Sequence, residues 1–488
     1  MLSLRFPCLI ILMLLLCSCH PGSDSSRNSD PDTARASRSL DAIRASGKLR
    51  ALIAYSATSY FLYRGQPMGY EYELVQRLAE NLGVELDLRI AADLDEMLEI
   101  LERGEVDLVA HGLAITQERK KKVAFADYLY LTKQVLVQRK PENWRSLTRD
   151  QTLERLVLDP VELIGDTVSL RKNSSYLERV NNLSHEIGGT IVVDTLEGSV
   201  ATDEIIRMVV NRDIKYTIAD QNLARINASH YPILDVSVPV SFSQRIAWAV
   251  SRNSPDLLKA INHWLAQEKK QTDYYVIFNK YFKNRRNFSR RVNSPFYSLN
   301  EGQISPFDHL IKQEARQMGW DWRLLASVVY QESRFDAEAT SWTGAAGLMQ
   351  LMPETAEELG VADLTDAAQN LEAGTRYLET LYGRFRTVPD SLQRIKFALA
   401  SYNCGYQHVE DARKLAEVKG LDKDCWDRNV DRMILALSAP DNYLHEVVDY
   451  GYVRGEEPYQ YVKQVFDRFT HYRSFLQDEV PGTTLTGI

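Results

Sequence analysis

Several common catalytic signatures are missing from these 488 residues. There is no GxxxxGK(S/T) phosphate loop and no GxGxxG after a strand, which removes the usual nucleotide and dinucleotide chemistries. HExxH and the GxSxG nucleophile elbow are absent too. Positive charge is not in excess: 58 Lys and Arg stand against 66 Asp and Glu, a net charge of −8. With no overall basic field, a nucleic-acid partner is not expected, and basic runs such as 119–122 suit solvated faces. Cysteine is scarce, at five residues. Cys404 and Cys425 have no His neighbours and would make a poor zinc site, so neither a metal nor another cofactor is expected. The apolar run at 6–16 is too short to cross a bilayer.

What is present describes a soluble globular protein: 44% hydrophobic and 25% charged residues, with length enough for two or three domains. Arg5 followed by the run 6–16 has the form of a secretory signal. Leu16-Cys17-Ser18-Cys19 then resembles a bacterial lipobox. The resemblance implies cleavage before Cys19 and lipidation of that residue. His20 follows, where Asp would suggest retention in the inner membrane, so the implied anchor is the outer membrane, facing the periplasm. An ordinary signal peptide with incidental cysteines is the alternative. Residues 19–38, rich in Ser, Asp and Arg, would form a flexible tether. With Cys19 acylated, Cys404 and Cys425 are the remaining pair in a compartment that permits disulfides. A bond between them would contribute about 3 kcal/mol, and the sequence leaves it open.

From Ser39 the pattern alternates strand and helix. Residues 49–54 read as a strand, and Leu74, Val75, Leu78, Ala79 and Leu82 mark a helix face stopped by Gly83. Val84, Leu86, Leu88 and Ile90 alternate as a half-buried strand. Leu94, Met97, Leu98 and Leu101 form the next helix face, before a strand at 106–110. This is βαβαβ, hence a parallel sheet under helices, with ligands expected beyond the strands' carboxyl ends. Residues 112–128, GLAITQERKKKVAFADY, with 69–74, 164–176 and 218–220, resemble solute-binding domains that capture polar amino acids. Glu73 stands where that family commonly has Asp. The resemblance covers roughly 40–283, crossing to a second lobe near 134–140 and returning near 243–250. It implies a two-lobed α/β periplasmic-binding-protein-like domain at 39–285. Arg119 would grip an α-carboxylate and Asp220 would neutralise an ammonium. Residues 286–305, with Pro295, Gly302 and no clear periodicity, are the expected linker.

Beyond 305 helical patterns are almost continuous, at 306–318, 323–330, 353–359, 367–385, 391–400 and 407–416, so an all-α domain is expected at 306–488. Leu325, Val328 and Val329 lie seven, four and three residues before Glu332, on one helical face. A carboxylate on that face loses hydration, which raises its pKa and suits it to act as a general acid. The alternative is a Glu at a helix end emerging into solvent. Glycosidases usually use two carboxylates. After Glu338 no Asp or Glu occurs until Glu354, and Asp336 sits in a turn expected to point it away. One carboxylate suits an intramolecular reaction, in which the substrate supplies its own nucleophile.

Glu332-Ser333, Gly347-Leu348-Met349-Gln350, Ala400-Ser401-Tyr402-Asn403 and 457–462 (EPYQYV) occur in order. Together they resemble the soluble-lytic-transglycosylase family of lysozyme-like enzymes that cleave peptidoglycan, over roughly 303–465. The family's usual Ala-Tyr-Asn appears here with Ser401 in place of Ala. The resemblance implies an all-α lysozyme-like domain in which Glu332 protonates the glycosidic oxygen and then takes the C6 hydroxyl proton, giving 1,6-anhydromuramic acid. Ser333 would orient Glu332. Met349 would line the cleft by apolar contact and Gln350 through its amide. Tyr402 and Asn403 would reach the acid or the acetamido group, and Tyr461 would bond Glu332 or the glycan. The expected partners are glycan strands, the outer membrane through a lipid, and an amino acid or muropeptide in the first domain. Two alternatives stay open: a hydrolase of lysozyme type, and a non-catalytic sensor of glycan and solute.

Overall fold

The computed structural model describes residues 37–300 and 302–476. Cys19, the signal 1–18 and nearly all of the tether 19–38 lie outside the described residues. Among those described, no helix is long and apolar enough to cross a membrane.

The first lobe is built on the expected βαβαβ unit. Lys48–Ala54 is central, with Glu85–Ala91 on one side and Leu108–Ala114 on the other, all parallel. The helix Tyr70–Leu82 buries Tyr70, Leu74, Val75, Leu78, Ala79 and Leu82 against this sheet and stops at Gly83 (φ 71), whose N–H reaches the carbonyls of Ala79 and Glu80. The sheet is not wholly parallel. Gln244–Ser251, the returning strand, runs antiparallel to Leu108–Ala114 and carries Val123–Phe125 and Tyr130–Thr132 on its other edge. A chain that leaves for a second lobe and comes back re-enters the sheet from the far end. In that lobe Gln134–Arg139 pairs antiparallel with Thr217–Asp220 and Leu234–Asp235, and Thr167–Arg171 pairs parallel with Val192–Leu196. The crossings fall where 134–140 and 243–250 were expected.

The expected linker is partly helical. Arg285–Val292 is a helix whose Phe288 and Arg291 are buried. The Arg291 guanidinium lies 5.0 Å from the Phe61 ring centroid and 5.4 Å from that of Tyr281. The segment RRNFSRRV holds too few apolar residues to show a helical stripe, because a cation among aromatic rings takes the place of one. Further on, Tyr297 bridges Tyr63 and Ile304 enters the core of the next domain.

That domain is helical, as the continuous 3.6-residue patterns dictate. Two of its helices run further than their apolar stripes. Trp322–Ser333 continues past 330, and Ser391–Cys404 continues past 400. Glu332 thus ends its helix as expected, and the pair Tyr402-Asn403 lies in a last helical turn instead of beyond it. The closing helix, Glu456–Phe475, packs on both, burying Tyr461, Val462, Val465 and Phe469. Cys404 and Cys425 are free thiols, each directed at a nearby backbone carbonyl, so no disulfide joins them.

Candidate active site

The helix Trp322–Ser333 is capped by Asp321, whose carboxylate accepts from the Arg323 N–H, and its inner face is fully buried at Leu325, Val328 and Val329. Glu332 follows on that face, half-buried. Its Oε1 accepts a hydrogen bond from the Tyr461 hydroxyl of the closing helix. Burial pushes the Glu332 carboxyl up to about 7, and the Tyr461 bond pulls the other way. Among the described residues no other carboxylate contributes to that shift. Asp336 is exposed and accepts from the Glu338 N–H at 3.0 Å, turned to its own loop as expected. Arg468 fastens the two helices together. It donates to the Ser327 carbonyl at 3.2 Å and to Gln331 Oε1 at 3.1 and 3.2 Å, and lies 4.3 Å over the Tyr330 ring.

The loop opposite is held from within. Tyr402 donates to the Met349 carbonyl at 2.7 Å. The Met349 N–H donates to Asn370 Oδ1 at 2.7 Å, while Asn370 Nδ2 donates to the Leu364 and Ala346 carbonyls at 2.9 and 3.0 Å. Gly347 (φ 81) admits no side chain, since a Cβ there would fall 2.2 Å from Asn370 Nδ2 and from the Leu364 carbonyl oxygen. Gln350 (φ 49) donates its amide to the Ala339 and Gly347 carbonyls at 2.9 and 3.0 Å.

Four expected roles are corrected by this geometry. Ser333 does not orient Glu332: its hydroxyl donates to the Val329 carbonyl one turn back, at 3.2 Å, the usual partner of a buried Ser in a helix. Met349 offers no apolar surface to a sugar, because its side chain is fully buried over Gly374. Its backbone, held by Tyr402 and Asn370, is what shapes the loop. Gln350 spends its amide protons inside that loop, and Tyr402 meets Met349 instead of Glu332. Asn403 Oδ1 and Ser401 Oγ are buried without partners. Asn370 was missed because its contribution lies in backbone contacts that no motif singles out.

A second site lies between the lobes of the first domain. A cavity of about 60 Å³ there is lined by Glu71, His111, Tyr130, Arg171, Asp203 and Asp220, among others. Polar atoms of several of these residues are buried without a hydrogen bond: Glu71 Oε2, His111 Nδ1, Asp203 Oδ1, Asp220 Oδ1 and Arg171 Nε, the last in an ion pair with Asp95 Oδ1 at 3.7 Å. Burial pushes Asp220 up to about 7, with Arg119 pulling it down, and Glu71 up to about 8. Burial lowers His111 to about 3, helped by the charges of Arg171 and Arg119. Arg119 is not part of a solvated face. It is half-buried and donates to the Ala114 carbonyl at 3.1 Å, while Lys120, Lys121 and Lys122 are exposed. The guanidinium in the cavity wall is that of Arg171, which the sequence motifs did not single out. Glu73 points elsewhere, accepting from Lys280 at 2.6 Å and from the Tyr281 hydroxyl.

Comparison with known proteins covers both domains. The model for bacterial extracellular solute-binding proteins, family 3, matches residues 51–284, and that for the transglycosylase SLT domain matches 309–424. Among solved structures, holo ArgBP from T. maritima is 26% identical, with a TM-score of 0.40, covering 49% of this chain and 97% of that one. The membrane-bound lytic murein transglycosylase F of Pseudomonas fluorescens is 32% identical over 87% of this chain and 85% of its own. That of Desulfosudis oleivorans is 33% identical over 434 residues, covering 89% of this chain and 92% of its own. Likeness on that scale runs through both domains and the segment joining them, and it makes this chain a lytic transglycosylase acting on peptidoglycan, a member of the membrane-bound lytic murein transglycosylase F family.

Proposed function

We propose that Glu332 is the sole acid and base of a non-hydrolytic cleavage of the β-1,4 bond between N-acetylmuramic acid and N-acetylglucosamine. The observation that carries this is a carboxyl raised to about 7 by burial, held by one tyrosine and shifted by no second carboxylate. Protonated Glu332 gives its proton to the glycosidic oxygen as the C1–O bond breaks, leaving an oxocarbenium-like C1. The ionised carboxylate then takes the C6 hydroxyl proton, O6 closes onto C1, and a 1,6-anhydro ring forms without water. Tyr461 steadies the charged form between the two steps. Asn403, whose Oδ1 has no partner, is suited to the acetamido N–H of the sugar. Tyr402 and Gln350 shape the wall through the 346–350 loop and Met349 supports it from beneath, while Ser333 stays bonded within the acid helix.

The solute-binding domain, at 39–285, would take an amino acid or a peptide fragment of cell-wall turnover and so regulate the enzyme. Asp220 would receive the ammonium. Arg119 would grip the carboxylate with Arg171 beside it, a pairing supported by the lowering of Arg119, first by burial and then by the Arg171 charge. Domain limits of 1–18, 19–38, 39–285, 286–305 and 306–488, and a lipid on Cys19 holding the chain at the periplasmic face of the outer membrane, complete this assignment.

Mass spectrometry of products from purified peptidoglycan tests it, run beside Glu332→Gln. Anhydromuramoyl products that fall roughly 10²–10⁴-fold in the variant are expected. Products with reducing ends would instead mean a hydrolase with a second catalytic group.

A further inference from the structure

Residues 61–68 form a hairpin, Phe61–Tyr63 against Gln66–Met68, that leaves the first domain and enters the second. Leu62, 1% exposed, belongs to the second domain's core. Arg64 (φ 51) and Gly65 (φ 73) make a two-residue turn with both residues left-handed, the geometry that suits a tight hairpin. The Gly65 carbonyl accepts from the Tyr472 hydroxyl at 2.8 Å. No side chain fits at that position. A Cβ on Gly65 would fall 2.6 Å from Phe335 Cε2, 2.6 Å from the Tyr472 hydroxyl oxygen and 2.9 Å from Tyr330 Cδ2.

Tyr330 and Phe335 bracket Glu332 in the chain, and their rings meet edge to face at 5.6 Å. Between them the backbone is strained: Arg334 (φ 54) and Phe335 (φ 62) are consecutive left-handed residues, neither of them glycine. Such conformations are costly and persist only where the surroundings over-determine them. Phe335 is held by the Tyr330 ring on one side and the Gly65 backbone on the other.

We propose that the Gly65 turn of the first domain is a positioning element for Glu332, clamping the end of the acid helix so that its carboxylate meets Tyr461. The clamp also has a root at the other site. Ser56, Thr58 and Ser59 before the hairpin and Glu71 after it line the inter-lobe cavity. Gly69 (φ 149) fastens the two roots together, since a Cβ there would lie 1.9 Å from the Ser59 carbonyl oxygen. A rearrangement of the cavity wall therefore has a short path through residues 56–71 to the end of the acid helix.

This inference rests on Glu332 being the acid, and the full chain purified in detergent tests the two separately. Gly65→Ala should lower kcat about 10–100-fold, the scale of a small misplacement of a reacting group. KM should change little, and the limb of the kcat–pH profile that belongs to Glu332 should move. Gly83→Ala is the control: Gly83 has the same backbone conformation (φ 71) but open space around its Cβ. It should lose some thermal stability while keeping kcat and the profile. Tyr472→Phe, which removes the bond to the Gly65 carbonyl and adds no volume, should shift kcat and the profile in the same direction as Gly65→Ala by a smaller amount. A folded Gly65→Ala with unaltered kcat and profile, or with losses matched by Gly83→Ala, would overturn the proposal. If Gly65→Ala does not fold, Tyr472→Phe decides alone, and unaltered kcat and profile in that variant overturn it. Retained activity in Glu332→Gln would remove the acid assignment itself, whatever the hairpin variants do.

Discussion

At the scale of single residues, Glu332 shows how one side chain can be poised by two opposed influences. Burial favours its protonated form and the Tyr461 hydroxyl favours the ionised one. Tyr461→Phe removes the second influence alone. The Glu332 limb of the pH–rate profile should then move to higher pH, with a loss in kcat of roughly 10–150-fold, since a hydrogen bond to a charged group is worth about 1.5–3 kcal/mol. Ser401 is a contrasting case. It stands where the family usually has Ala, and its hydroxyl is fully buried without a partner. Ser401→Ala should leave activity unchanged and hold or raise the melting temperature, because an unpaired buried hydroxyl costs stability and a methyl does not. Glu332 was legible in the sequence because three apolar residues at helical spacing fix which way it points. Ser333 and Met349 were not, because a motif names residue types without saying which of them turn to the core. Arg171 was hidden for a similar reason: alternation puts it on the face opposite Val168 and Leu170, and nothing in the sequence marks that face as a cavity wall.

At the scale of elements, the loop 345–350 depends on Asn370 more than on any residue of its own. One fully buried amide serves three backbone groups, from Met349, Ala346 and Leu364. Asn370→Ala leaves the Met349 N–H and the Leu364 carbonyl without this partner, while the Ala346 carbonyl keeps the Leu351 N–H, and each group left unpaired costs about 1–3 kcal/mol. Chemical denaturation should show a loss of at least about 2 kcal/mol, and kcat should fall along with it as the loop loosens. The helices themselves were readable from their apolar stripes, but their ends were not. Trp322–Ser333 and Ser391–Cys404 run beyond their stripes because the closing helix packs on their final turns. The helix Arg285–Val292 left no stripe at all, since Arg291 occupies an aromatic pocket that a Leu or Ile would ordinarily fill.

At the scale of the whole molecule, the inter-lobe cavity ties stability to pH. Asp220 and Glu71 have folded-state pKa values of about 7 and about 8, above their ordinary range. Between the ordinary carboxylate range and those values the folded state holds more protons than the unfolded one, so stability falls as pH rises through that window. Asp220→Asn removes one of these groups. Its melting temperature should exceed that of the parent at pH 8, and the advantage should vanish near pH 4, as a thermal scan at both values would show. Two domains of the right classes in the right order could be read from the chain, down to the points where it crosses between lobes. Their junction could not. Leu62 in the second core and Tyr472 under Gly65 join segments far apart in sequence, and no local pattern records such a meeting.

The closing helix Glu456–Phe475 carries Tyr461 into the site and Tyr472 against the first domain, and 129 positions separate Glu332 from Tyr461. Proteins are made from the N-terminus onward, and their domains fold in that order. A chain interrupted before residue 456 would own a solute-binding domain and an acid helix, yet lack the hydroxyl at its carboxylate and the ring beneath its clamp. An unfinished copy of this wall-cutting enzyme also lacks the helix that packs on both Trp322–Ser333 and Ser391–Cys404, and its acid stands without that support. Completion of synthesis is itself the first safeguard on its activity.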